Sequence, residues 1–182
     1  MRVISGSAKG RKLESPKNYD IRPTGEMVKE AVFSIIQVKV PEARVLDLFS
    51  GTGQLGIEAL SRGADFCVFV DESRDMLALT ERNIARAGFQ KLSKTVCADA
   101  LKYIENSERA DIIFIDPPYD ANLTEKILEK IIEFDILREH GIIICESRVM
   151  REMPDLNPPY NKMREYRYGN KKITLYKKEI IA

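Results

Sequence analysis

From residue 44 onward the chain alternates between short continuous apolar runs and longer stretches with apolar residues at every third or fourth position. The runs at 45–49, 67–71, 95–98, 112–115 and 142–146 have the length and β-branched content of strands. Between them, 54–62, 73–87, 100–104 and 123–134 read as helices, punctuated by Gly63, Gly88 and Gly141. Ser73 is placed as a cap, and Asn122 and Glu125 are spaced as a capping box. The runs at 45–49, 112–115 and 142–145 are apolar throughout, which suits a parallel sheet covered on both faces. Ahead of them, Met27, Val28, Ala31, Val32, Ile35 and Ile36 form one stripe of a helix with Thr24 as its cap. Residues 163–168 and 173–177 flank Gly169-Asn170 as an antiparallel hairpin, and 3–13 reads as a small hairpin arm with no core of its own. The pattern predicts an α/β fold: a doubly wound, mostly parallel seven-stranded sheet closed by a C-terminal hairpin, with its site at the carboxyl ends of the strands.

Composition narrows the class. The 182 residues are 44% hydrophobic and 31% charged, as expected for one globular domain. No apolar run approaches the roughly 20 residues that cross a bilayer, and the opening residues do not form a secretory signal. Cys67, Cys97 and Cys145 lie in apolar runs without C-x-x-C spacing, which predicts reduced core thiols, a cytoplasmic location and no metal site. His140 lies beside Gly141, where the pattern expects a helix end, and reads as structural. Charge is segregated although the net is only +1. Residues 1–22 carry six Lys/Arg against two Asp/Glu and residues 162–178 seven against one, while the rest is acidic. Two basic ends fit either a polyanion footprint or two solvated faces.

Two turns carry candidate chemistry. Gly51-Thr52-Gly53-Gln54-Leu55-Gly56 matches the dinucleotide pattern G-x-G-x-x-G, with Asp71 following 20 residues after Gly51. Asp47, just upstream, would repel a pyrophosphate but attract an amino group and a sulfonium. Asp71 is suited to ribose hydroxyls and Asp99, at the tip of the third strand, to an exocyclic adenine amine. Plain helix capping suits Asp99 and fits Asp47 poorly. The second turn, Asp116-Pro117-Pro118-Tyr119, follows the run Ile112-Ile113-Phe114-Ile115 and pairs a carboxylate with a stiff bend and an aromatic. Asn157-Pro158-Pro159-Tyr160 fits the same pattern, but it follows no apolar strand and reads as a stiff loop.

These motifs, with Arg2-Val3-Ile4-Ser5-Gly6, Gly10-Arg11-Lys12-Leu13, Arg22-Pro23-Thr24, Val28-Lys29-Glu30-Ala31-Val32-Phe33, Glu58-Ala59-Leu60-Ser61-Arg62-Gly63-Ala64 and Tyr168-Gly169, span nearly the whole chain. On them the chain resembles S-adenosylmethionine-dependent methyltransferases, and more narrowly the bacterial small-subunit (16S) ribosomal RNA (guanine-N2) methyltransferases of the RsmD type. Asp71 departs from the glutamate more usual there. The resemblance implies a Rossmann-like methyltransferase domain over 23–182, preceded by a basic arm over 1–22. It implies S-adenosyl-L-methionine as cofactor, held by Asp47, Phe49, Gly51, Gly53, Asp71, Asp99 and Ala100, and S-adenosyl-L-homocysteine as product. Asp116, Pro117, Pro118 and Tyr119 would be catalytic, and Lys9, Arg11, Lys12, Arg22, Thr24, Lys171 and Lys172 would meet RNA. The implied partner is 16S rRNA or a small-subunit assembly particle, bound by a monomer. Two other readings stay open: a DNA adenine-N6 methyltransferase, although the chain has no room for a separate target-recognition domain, and an NAD- or nucleotide-binding module.

Overall fold

A computed structural model of the chain describes residues 1–16, 24–117 and 121–180. Helix α1 (Thr24–Ile35) precedes strand β1 (Arg44–Asp47), helix α2 (Gln54–Ser61), β2 (Phe66–Asp71), α3 (Arg74–Ala87), β3 (Ser93–Cys97) and α4 (Ala100–Ile104). Then follow β4 (Ala110–Ile115), α5 (Ala121–Glu133), β5 (Leu137–Arg148), β6 (Tyr160–Tyr168) and β7 (Lys171–Lys178). The strands form one sheet in the order β3-β2-β1-β4-β5-β7-β6. The first five run parallel, and β7 pairs antiparallel with both β5 and β6. The expected architecture is therefore present, with Gly169-Asn170 at the tip of the final hairpin.

Strand alternation sorts the core into two layers. Val45, Phe69, Ile112, Phe114, Ile144, Ile173 and Leu175 face α1, α2 and α3. Leu46, Val70, Ile113, Ile115, Ile143, Cys145 and Tyr176 face α4 and α5. Period-two side chains on a sheet buried on both sides leave no polar face, which is why these strands read as continuous apolar runs.

The local details depart from expectation at several points. Strand β5 begins at Leu137, so His140 and Gly141 lie inside it, at a register shift, and do not end a helix. A Cβ on Gly141 would stand 2.7 Å from the Arg138 carbonyl oxygen, so the irregularity needs glycine. Helix α5 starts at Ala121, placing Asn122 within its first turn and not at its cap. Met27, placed on the apolar stripe of α1, is 64% exposed, and Cys97, expected in the core with Cys67 and Cys145, is exposed at the end of the edge strand β3. Ser73 does cap α3, accepting from the Met76 amide, and Gly88 closes that helix in the left-handed conformation.

The N-terminal arm docks on α2. The Val3 amide donates to the Arg11 carbonyl and the Leu13 amide to that of Met1, flanking the antiparallel Arg2–Lys12 bridge, and Val3, Ala8 and Leu13 enter the α1–α3 layer of the core. Gly6 (φ +85°) presses on the Ser61 carbonyl, where a Cβ would come within 1.7 Å. Ser61 Oγ donates to the Ser5 carbonyl and accepts from the Ala8 amide. Beside it the fully buried Glu58 accepts from the amides of Ile4 (2.8 Å) and Ser5 (3.0 Å), and pairs with Lys29 (3.4 Å) and Arg62 (2.8 Å). Lys29 in turn donates to the Arg2 carbonyl. Burial pulls the Lys29 ammonium down and Glu58 opposes it. Removing one partner of such a cluster leaves a buried charge unpaired, so Glu58→Ala should destabilise the fold by about 3–5 kcal/mol in urea unfolding. Wild-type stability in that variant would mean that the arm is held by its apolar residues alone.

Candidate active site

The glycine loop between β1 and α2 is built from the backbone outward. Gly51 and Gly53 have φ +54° and +77°, a left-handed region that favours glycine. A Cβ on Gly53 would lie 2.9 Å from the Thr80 methyl, and one on Gly56 would lie 2.3 Å from the Phe69 ring, so α2 seats directly on β2. Helix α3 grips the loop from the other side: Thr80 Oγ1 donates to the Gly51 carbonyl (2.7 Å) and Asn83 Nδ2 to that of Thr52 (2.9 Å). Asn83 also binds the backbone of Glu14 in both directions, linking the arm to the loop. Neither Thr80 nor Asn83 stands out in the sequence, because each is an isolated polar residue on an amphipathic helix.

Acids stand at successive strand ends. Asp71, closing β2, accepts from the amides of Gly51 and Ser73, both at 2.9 Å. Asp99 caps α4 through the Lys102 amide and is exposed, with Ala100 buried behind it. Asp47, closing β1, is only 2% exposed and accepts from the Gly56 amide (3.2 Å) in the first turn of α2. Capping, set aside for Asp47 on sequence grounds, is therefore one of its roles: the acid comes from the preceding strand because Gly53 has no side chain to offer. Burial pushes the Asp47 carboxyl up to about 7; the Gly56 amide opposes this, and the charges of Asp116 and Asp71 add to it. Phe49 is half-buried against the α4–α5 layer. Ser50 Oγ is buried without a hydrogen-bond partner among the described residues.

Asp116 and Pro117 follow β4 directly, while Pro118 and Tyr119 lie outside the described residues. The pairs Phe114–Ile144 and Ile115–Cys145 set the β4–β5 register, and its continuation brings Asp116 beside Glu146. A cavity of about 50 Å³ opens there under α1, with Lys29, Gln54, Asp116, Glu146 and Lys171 as its polar lining. Lys171 pairs with Glu146. Asp116 is open to solvent on one side, yet packing on the other raises its carboxyl. Glu146 raises it further and Lys171 lowers it. Glu146 is absent from the residues singled out in the sequence, although it too is an acid at the carboxyl end of an apolar strand.

The candidate RNA contacts separate. Lys9 and Lys12 are exposed, and Arg11 is exposed with its guanidinium on the Arg86 carbonyl. Arg22 and the side chain of Thr24 lie outside the described residues. Lys171 faces the cavity. Lys172 is withdrawn as a surface contact: it is 3% exposed, because the next residue on a strand points to the opposite face, and it is bound to Glu165 and the Arg151 carbonyl. The second Pro-Pro turn is remote from the strand-end acids, with Tyr160 buried and donating to Asp135, just ahead of β5.

Comparison with known proteins gives concordant matches. The family model described as Conserved hypothetical protein 95 matches residues 1–177. A Bacillus subtilis protein provisionally named the rRNA methyltransferase YlbH is 36% identical over 182 residues, covering 98% of this chain and 99% of that one. The Escherichia coli K12 protein named ribosomal RNA small subunit methyltransferase D is 30% identical, covering 98% and 90%. Among solved structures, an Escherichia coli protein provisionally named the methyltransferase yhhF superimposes with a TM-score of 0.89 at 27% identity, over 100% of this chain and 99% of that one.

The raised carboxyl of Asp47 has a consequence for stability. Its folded value near 7 stands above the ordinary 3.8, so the folded state holds a proton that the unfolded chain releases. That contribution is complete below about pH 4 and is lost as pH rises through about 7. Asp47→Asn keeps an oxygen for the Gly56 amide and should flatten the pH dependence of urea unfolding over this window. A variant with the wild-type slope would exclude Asp47 as its source.

Proposed function

The chain belongs to the Conserved hypothetical protein 95 (RsmD) family, and from that premise we propose that it is an S-adenosylmethionine-dependent methyltransferase that modifies the exocyclic N2 amine of a guanine in small-subunit ribosomal RNA. The observation that carries the reading is the position of Asp116 and Pro117 at the end of β4, one strand from the glycine loop after β1. Relatives named as rRNA methyltransferases, matched across 98% of the chain, support the RNA class.

The residues around the glycine loop fit the cofactor by their chemistry. The left-handed backbone at Gly51 and Gly53 leaves no side chain in the way, and the unpartnered Ser50 hydroxyl is available to a ligand. Asp47 offers a carboxyl to a cationic amino-acid moiety. Asp71 retains lone pairs for ribose hydroxyls after its two amide bonds, and Asp99 remains open to an adenine amine. Phe49 and Ala100 would flank the base. When bound, S-adenosyl-L-methionine supplies an electrophilic methyl carbon on a sulfonium and leaves as S-adenosyl-L-homocysteine.

The remaining work falls to the Pro-Pro turn. The lone pair of an exocyclic amine is delocalised into its ring, which makes the nitrogen a poor nucleophile. Asp116 and the Pro117 carbonyl accept its two N–H bonds and draw the nitrogen toward tetrahedral geometry, which frees the lone pair for in-line attack. Once the new N–C bond forms, the nitrogen carries a surplus proton, and Asp116 takes it; its raised affinity for protons suits that role. Pro117 stiffens the exit from β4, and Tyr119 is assigned to stack on the flipped-out base, worth on the order of 1–3 kcal/mol. Lys9, Arg11, Lys12 and Arg22 supply phosphate contacts.

The test is transfer of labelled methyl to small-subunit RNA, or to subunit particles, that lack the mark. Nuclease digestion should release N2-methylguanosine; recovery of N6-methyladenosine would favour the adenine-N6 class. Asp116→Ala should lower transfer by about 10²–10³-fold or more and leave cofactor affinity within a few-fold. Full activity in that variant would overturn the assignment of Asp116.

A further inference from the structure

Three polar groups share one face of the sheet at the mouth of the cavity under α1, with Lys171 two residues further along, opposite Arg148, and its ammonium reaching back to Glu146. Asp116 follows Phe114 by two residues, Glu146 follows Ile144 by two, and Lys171 precedes Ile173 by two. Phe114, Ile144 and Ile173 belong to the same layer of the core. Period-two alternation therefore turns all three polar side chains to that face, and all three line the cavity. Their order across the sheet follows the strand order β4, β5, β7.

Two carboxylates side by side cost energy, and here Glu146 works against ionisation of Asp116. An ion pair serving only to join β5 to β7 would need Glu146 and Lys171 but no neighbouring Asp116. Read as a ligand surface, the row is acceptor, acceptor, donor. The Watson–Crick edge of guanine presents donor, donor, acceptor: the N2 amine, N1–H and O6. Adenine, with its exocyclic amine in the same place, presents an acceptor at N1 and a C–H beyond it. Cytosine likewise has an unprotonated ring nitrogen next to its amine. The row complements guanine and sets a carboxylate against the ring-nitrogen lone pair of the other two.

We infer that Glu146 is the specificity-determining residue of this enzyme: it accepts N1–H of the target guanine, while Lys171 holds its carboxylate and faces O6. Glu146 has the reach for this, being one methylene longer than Asp116. It is 18% exposed, so the incoming base displaces little water from it. Lys171 has three donors and can serve Glu146 and O6 together. This inference rests on the guanine-N2 reading, which it deepens: Asp116 activates the amine, and Glu146 decides which base can present one.

The experiment compares two acceptor RNAs that differ at the nucleotide marked by the wild-type protein. One carries guanosine and the other 2-aminopurine ribonucleoside, which keeps the amine but lacks N1–H and O6. The wild-type protein should prefer guanosine in kcat/KM. Glu146→Gln should narrow that preference by about 10- to 100-fold, the scale of a charge-assisted hydrogen bond reduced to a neutral one. Cofactor affinity should stay within a few-fold. The intrinsic reactivities of the two amines cancel in the comparison, so a purely structural role for Glu146 would leave the preference unchanged. Lys171→Met, which removes the group facing O6, should narrow it as well and serves if the first variant folds poorly. An unchanged preference in a folded, active variant overturns the inference and leaves the guanine-N2 reading standing. Absence of N2-methylguanosine from the wild-type reaction would instead sink that reading, and the inference with it.

Discussion

The parallel pairing of the first five strands is the constraint on which the rest depends. Parallel strands in one sheet end at one edge, and each of the first four is left by a turn into a helix. In this chain the residues at those exits are Asp47, Asp71, Asp99 and Asp116, with Glu146 further along β5. Acids drawn from five distant segments become neighbours only because the ladder aligns them. Burial of Asp47, packing against one side of Asp116, and the acids' mutual repulsion explain why both carboxyls are raised above the ordinary carboxylate range. A positive charge placed among these acids would relieve that repulsion.

The glycine loop is fixed by backbone conformation at Gly51 and Gly53 and by the grip of Thr80 and Asn83. Asp47 joins β1 to the first turn of α2, so the loop is pinned at both ends. Asn83 extends the connection to Glu14, and Glu58 ties the arm's Ile4 and Ser5 to α2. The basic arm is thus continuous with the framework of the loop and does not hang from it as a loose extension. Arg11, on the Arg86 carbonyl, shows the same principle at the surface.

The cavity under α1 is lined from β4, β5 and β7 on one side and by Gln54 and Leu55 of the glycine motif on the other. Asp116 stands between them, on the strand shared by both neighbourhoods. The antiparallel β7 is what closes the cavity, since it alone carries Lys171 back to the carboxyl end of β5.

Much of this was legible from residue order alone. Continuous apolar runs require a sheet buried on both faces, and glycines at fixed spacing require a tight strand-to-helix turn. Each is a local demand of backbone sterics or of burial. The start of β5, the capping role of Asp47, the burial of Lys172 and the places of Glu58, Asn83 and Glu146 were not legible in this way. Glutamate, asparagine and lysine are common surface residues, and nothing nearby in sequence marks the ones that pair across 20 to 70 positions. Their roles were decided by the sheet register and helix packing, because a buried polar group finds its partner only after the chain has folded and excluded the water that would otherwise satisfy it.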